Sequence, residues 1–232
     1  MTEKSEFFSS FGGCPKEGTS TIPTLRLPGQ RRNVVEIALV LGFIVAAAWT
    51  PQGSLNEFLR ITAAACVVAF AVTGKWSPAE MGLTRPLAGV APIVISGALL
   101  CTGIALTGVM LRFAGAGHAL SWSRSWLYVV WALAQEFILQ SVLFLRLETI
   151  FGPKGAVVAA AALFAFVHLP SPVLTVLAFC GGLVFSELFR RSRNLYPIGL
   201  IHAALGLTIA ASLPDHWLHH MRVGIGYLIL HS

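Results

Sequence analysis

The chain has 232 residues, of which 56% are hydrophobic and 11% charged, with a formal net charge of +6 and a mean hydropathy of +0.76. A composition this apolar excludes a water-soluble globular domain and points to an all-α, polytopic membrane helix bundle. The positive charge calls for no nucleic acid, because Lys and Arg are dispersed along loop edges, where anionic lipid attracts them, rather than gathered on one face with interleaved aromatics.

Residues 1–33 form a polar tail carrying Gly, Ser, Thr and Pro without periodicity, and are expected to be a disordered cytoplasmic tail with none of the marks of a signal peptide. Residues 34–232 are expected to be one helical domain. Apolar runs follow at Val34–Trp49, Phe58–Thr73, Leu87–Leu111, Trp126–Leu145, Gly155–Leu169, Val173–Phe189, Pro197–Leu213 and, more weakly, Trp217–Leu230. They predict about eight transmembrane helices, several shorter than the roughly 20 residues of an upright span. Pro- and Gly-bearing connections such as Thr50-Pro51-Gln52-Gly53 and Phe151-Gly152-Pro153-Lys154 punctuate them. With the amino terminus cytoplasmic, 12 Lys and Arg fall on inner segments and 4 on outer ones, a positive-inside bias. Eight spans then return the carboxy terminus to the cytoplasm.

Against this apolar background a few polar groups stand out. Glu136 sits in the middle of the fourth run, where an ionisable side chain costs roughly 2.5–3.5 kcal/mol on insertion scales and by default marks a functional site. His168 closes the fifth run and His202 lies inside the seventh. At 1.5 Å per residue Glu136 is roughly 15 Å from Arg146, His168 about 20 Å from Gly155 and His202 about 10 Å from Leu195, so helix tilt allows the three to share one buried pocket. Arg146 and Glu148 read as the inner boundary of the fourth helix, and Glu187 as an interfacial partner of Arg190 and Arg191. Cys14, Cys66, Cys101 and Cys180 lack metal or redox spacing. His216-x-x-His219-His220 reads as a wet interfacial turn, and Gly181-Gly182 as a close helix contact.

Order and spacing carry a family resemblance. An acidic, glutamine-bearing motif at Gln135-Glu136-x-x-x-Gln140, then Phe164-x-x-x-His168, then His202-x-x-x-Gly206, with Met81-Gly82-Leu83 upstream, resembles the CAAX protease and bacteriocin-processing (CPBP, or Abi) family of intramembrane proteases. In that family the first motif is Glu-Glu-x-x-x-Arg, whose first glutamate works with the second-motif histidine to activate water. The third motif, His-x-x-x-Asn, stabilises the oxyanion. Here Gln135, Gln140 and Gly206 replace the first glutamate, the arginine and the asparagine, so three of six signature positions depart. The two glutamine replacements leave the first motif at net −1, as in the family. Gln135 and Glu136 lie about 100° apart on a helix, whereas Glu136 and Gln140 share a face.

The resemblance implies a glutamic-type intramembrane endopeptidase of the bacterial inner membrane. Glu136 and His168 activate water, His202 stabilises the oxyanion, and Gln135 and Gln140 support them. The glutamine pattern is similar to the JDVT or myxosortase-like branch, which implies a protein substrate with a hydrophobic carboxy-terminal segment, held among membrane lipids. No metal or other cofactor is required: two histidines and one carboxylate could formally hold zinc, but the H-E-x-x-H spacing is absent. A catalytically silent membrane scaffold or immunity-type binding protein stays open as the alternative. A transporter has no inverted repeats in its support, and a serine protease no nucleophile elbow.

Overall fold

The long apolar runs form helices because nothing inside them competes with the backbone, and each ends where Pro, Gly or a polar cluster does. The computed structural model describes residues 27–84, 89–111 and 122–229. The expectations for the tail up to residue 26, including Cys14, and for the basic residues Arg85 and Arg112 lie outside them. Among the described residues there is no strand.

Helix α1 (Leu27–Trp49) begins ahead of its apolar run and packs on α2 (Ser54–Thr73). Buried Asn56 ties the two, its amide donating to the carbonyls of Ala47 and Thr50 at 2.6 and 3.0 Å, groups that the end of α1 would otherwise leave unpaired. Next, Ser77 and Glu80 exchange hydrogen bonds in a capping box, and the Ser77 backbone N–H, followed by its hydroxyl, holds the Glu80 carboxyl below its usual range. Helix α3 (Val90–Met110) follows.

Helix α4 (Trp122–Glu136) runs into a π-helical segment, Phe137–Phe144, and on into α5 (Leu145–Phe166). This stretch carries the fourth and fifth apolar runs as two arms about Gly152, whose φ of 72° and ψ of 173° suit glycine, with Pro153 next to it. Pro172 opens α6 (Pro172–Ser192), which stops at Arg193 in the left-handed region; α7 (Leu195–Ser212) follows. In all, six helices among the described residues are long and apolar enough to cross a membrane, the longest being Ser125–Phe166.

The eighth run does not make a span. It folds as α8 (Asp215–Leu218), a 3-10 turn at His219–Met221 and α9 (Ile225–Ile229), each far short of the roughly 20 residues needed. Left-handed backbone at His219, His220 and Met221 interrupts any longer helix. Without an eighth span, the count of crossings does not return the carboxy terminus to the cytoplasm.

α7 is the central helix. α3 lies along it with Gly97 against Ile201 and Gly108 against Ser212, and α4 lies along it in the opposite sense, with Gly199 against Leu133 and Gly206 against Tyr128. α6 packs on α5 through Gly182, where a methyl group would come within 2.9 Å of the Ala161 backbone. Polarity is inverted relative to a soluble protein: Val72 and Met110 are 78% and 82% exposed, while Glu136, Gln140 and Arg146 are 0% exposed. Apolar surface facing outward and ionisable groups facing the bundle interior are what a lipid solvent demands. The chain is an integral membrane protein.

Arg146 is not the interfacial boundary expected of it. Fully buried, it donates to Glu36 of α1 at 2.6 Å and to the carbonyls of Val142 and Phe70 at 2.7 and 2.8 Å, with its guanidinium 4.7 Å from the centre of the Trp76 ring. Arg32 holds the other Glu36 oxygen at 2.6 Å. Glu148 pairs with Arg193 at 2.6 Å, and Glu187 with Arg190 and Arg191 at 2.7 and 2.5 Å, the latter as expected.

Candidate active site

Glu136 is the last α-helical residue before the backbone widens into the π segment, a feature that recurs at functional sites. Its carboxylate is fully buried and both oxygens are engaged. Oε1 meets Nδ1 of His202 at 2.7 Å, and Oε2 accepts from the Gln140 amide at 3.0 Å. The same amide nitrogen lies 3.3 Å from the Ser186 hydroxyl of α6, and the Gln140 carbonyl oxygen is buried without a partner. Two elements thus meet the carboxylate directly, α7 and the π segment, and α6 joins through Gln140.

Aromatic rings fix the imidazoles. Phe185 stacks on His202 with centroids 5.4 Å apart and planes 20° from parallel. Phe164 presents its ring to both histidines, 5.7 Å from His202 and 4.7 Å from His168, at steep angles to each. His168 Nδ1 lies 2.6 Å from the Phe164 carbonyl oxygen. A carbonyl only accepts, so that bond puts the proton on Nδ1 and leaves Nε2 of a neutral His168 as an acceptor. In His202, Nδ1 is turned to the carboxylate, and Nε2 makes no hydrogen bond among the described residues.

The residues singled out from the sequence are thus brought together unequally. Glu136, Gln140 and His202 touch. His168 joins them through the Phe164 ring, and no hydrogen bond or ion pair links it to Glu136: the carboxylate is taken by His202 and Gln140, and His168 by its own backbone. Gln135 is half-buried and makes no hydrogen bond among the described residues. At Gly206 a side chain could not begin, since a Cβ there would fall on the Tyr128 hydroxyl, with ring carbons Cζ and Cε1 at 2.6 and 2.7 Å.

The upstream motif serves as a brace. The Met81 carbonyl accepts from the Ser141 hydroxyl at 2.7 Å, and the Gly82 carbonyl from the Leu195 backbone N–H at 3.0 Å, so the motif ties the π segment to the start of α7. Gly82 is required twice over, by its φ of 77° and by the Phe189 ring and Leu195 nitrogen that a Cβ would meet at 2.8 and 3.0 Å. Sequence reading missed Ser186, Tyr128 and Glu36. Glu36 carries the same signal as Glu136, an acid inside an apolar run, whereas nothing in the sequence marks Ser186 as a partner of Gln140. No group of three or more His, Cys, Asp or Glu side chains among the described residues gathers to hold a metal ion.

Fold and site together define a polytopic helical membrane protein whose interior holds a carboxylate–imidazole pair beside a second imidazole. The family described as type II CAAX prenyl endopeptidase Rce1-like matches residues 117–208, which identifies that stretch, holding Glu136, His168 and His202, as Rce1-like and agrees with the CPBP resemblance. That family supports a protease in general. No curated protein and no solved structure matches the chain significantly.

Proposed function

We propose that this protein is an intramembrane endopeptidase of the glutamic type, which removes a hydrophobic carboxy-terminal segment from a protein substrate held in the bacterial inner membrane, its own amino terminus being cytoplasmic. The observation that carries the reading is the buried bond between Glu136 and His202 at 2.7 Å, with His168 on the same Phe164 ring. The positive-inside count supports the orientation, and the glutamine-bearing first motif supports the sorting branch.

The geometry favours a division of labour that differs from the sequence expectation in one respect. His168, with Nδ1 committed to a carbonyl, is the base: its Nε2 takes a proton from water as the water oxygen adds to the peptide carbonyl carbon. The carbonyl π pair moves onto oxygen, and the oxyanion accepts a hydrogen bond from Nε2–H of His202, whose positive charge Glu136 stabilises. On collapse the C–N bond breaks, and the proton held by His168 passes to the leaving amine. Glu136 thus serves His202 rather than the water, and Gln140 orients Glu136. Metal chemistry enters none of these steps.

The test is cleavage of a tailed reporter in membranes. Glu136→Ala and His168→Ala should each abolish tail removal while the chain remains inserted. Unchanged processing by both variants would sink the catalytic reading and leave a membrane scaffold in its place.

A further inference from the structure

The contact between Tyr128 and Gly206 is more than packing. Resting on the protease reading above, we infer that the Tyr128 hydroxyl is a catalytic residue, the second oxyanion donor beside His202, supplied from α4 to the place where the chain has glycine at the fourth position after the histidine.

Three observations converge. First, the hydroxyl oxygen lies where a side chain on residue 206 would start, so the absence of a side chain there and the presence of the phenol are one feature. Gly206 is one helical turn beyond His202, about 6 Å along the axis and on the same face of α7. Second, the antiparallel run of α4 along α7 places Tyr128 two turns before Glu136, so one helix brings the carboxylate to Nδ1 of His202 and the phenol to the next turn. Third, the phenol has no hydrogen-bond partner among the described residues, although it stands between two membrane helices. Phenylalanine would fill the same notch, so the free oxygen is what the tyrosine adds there. A neutral phenol, with an ordinary pKa of about 10, is a donor at every physiological pH, and an oxyanion is the acceptor that this chemistry produces.

The experiment uses the full-length protein in detergent and a reporter made of a soluble tag, an apolar segment of about 20 residues and terminal lysines. Tyr128→Phe removes only the oxygen. It should lower kcat by about 10²–10³-fold, as loss of one oxyanion donor does, with KM within about twofold and the melting temperature unchanged. Tyr128→Ala opens room for a side chain on residue 206, so Tyr128→Ala with Gly206→Asn should recover at least about tenfold over Tyr128→Ala alone, a rescue that a packing role would not produce.

If Glu136→Ala and His168→Ala are dead but Tyr128→Phe keeps more than half of wild-type kcat, the inference falls and the protease reading stands. Failure of the wild type to cut the reporter, or full activity of the Glu136 and His168 variants, overturns both. Should Tyr128→Phe not fold, the double variant decides: rescue supports the phenol as donor, and no rescue overturns it.

Discussion

Glu136→Gln is the sharpest perturbation of the site because it keeps shape and removes charge. In the wild type one carboxylate oxygen faces His202 at 2.7 Å and the other the Gln140 amide at 3.0 Å, two donors meeting two acceptors. A glutamine amide has one acceptor and one donor end, so either His202 or Gln140 is left facing an N–H. A hydrogen bond to a charged group contributes about 1.5–3 kcal/mol, and leaving a buried donor without an acceptor costs about 1–3 kcal/mol more. In the proposed mechanism, the part of this that bears on the transition state is the support that Glu136 gives His202 there. A loss of about 3–4 kcal/mol corresponds to a fall in kcat of about 10²–10³-fold. Initial rates over a range of reporter concentrations separate kcat from KM, and a melting curve checks that the variant is folded. A fall smaller than about threefold, or under 1 kcal/mol, with the protein folded would refute the reasoning, since the carboxylate would then be structural.

Two further substitutions probe neighbouring interactions. Gln135→Glu adds a carboxylate next to Glu136 with no cation to balance it, and should slow cleavage by about tenfold, the equivalent of one pKa unit of like-charge repulsion; a gain in kcat would show instead that the natural site is a weakened form of the two-glutamate arrangement. Arg146→Met leaves Glu36 buried with only Arg32, and should cost about 3–5 kcal/mol of stability, whereas Glu36→Leu with Arg146→Met should recover most of that loss, because apolar residues replace a buried pair at little net cost. Thermal or denaturant unfolding in detergent reads the cycle, and additive losses would contradict a direct pair.

The polar interior was legible in part, and the division is physical. Glu136, His168 and His202 stood out because a lipid solvent makes each ionisable group conspicuous, and depth arithmetic correctly brought Glu136 and His202 within reach. Gln140 followed from the i, i+4 relation, which survives although the backbone between them begins to widen into a π-helix, a change no apolar pattern announces. What periodicity cannot supply is a partner far away in sequence. Arg146 reads as a boundary because an arginine near a helix end usually snorkels, and its partner Glu36 lies 110 residues away. The eighth run had the composition of a span, but its length was divided by left-handed turns at His219 to Met221, residue types that do not announce them. Tyr128 was invisible for a different reason: its significance lies in what Gly206 lacks, and only the antiparallel packing of α4 on α7 connects the two.

The replacement of a motif arginine by Gln140 also argues for which histidine does what. A guanidinium at that position would bring its own charge to Glu136. Gln140 gives the same carboxylate a hydrogen bond and no charge. Among the described residues the only ionisable partner of Glu136 is His202. In a low-dielectric interior a lone carboxylate is costly, and a protonated imidazole beside it restores neutrality. With Nδ1 of His202 turned to the carboxylate, Nε2 is the nitrogen that donates to the oxyanion in the proposed mechanism. His168 has Nδ1 committed to the Phe164 carbonyl and no carboxylate bonded to it, which leaves Nε2 as the nitrogen that accepts in the proposed mechanism. A glutamine at 140 thus accords with the proposed mechanism, in which His202 is the donor and His168 the base, and replacing Gln140 with arginine would test that proposal by offering Glu136 a permanent cation.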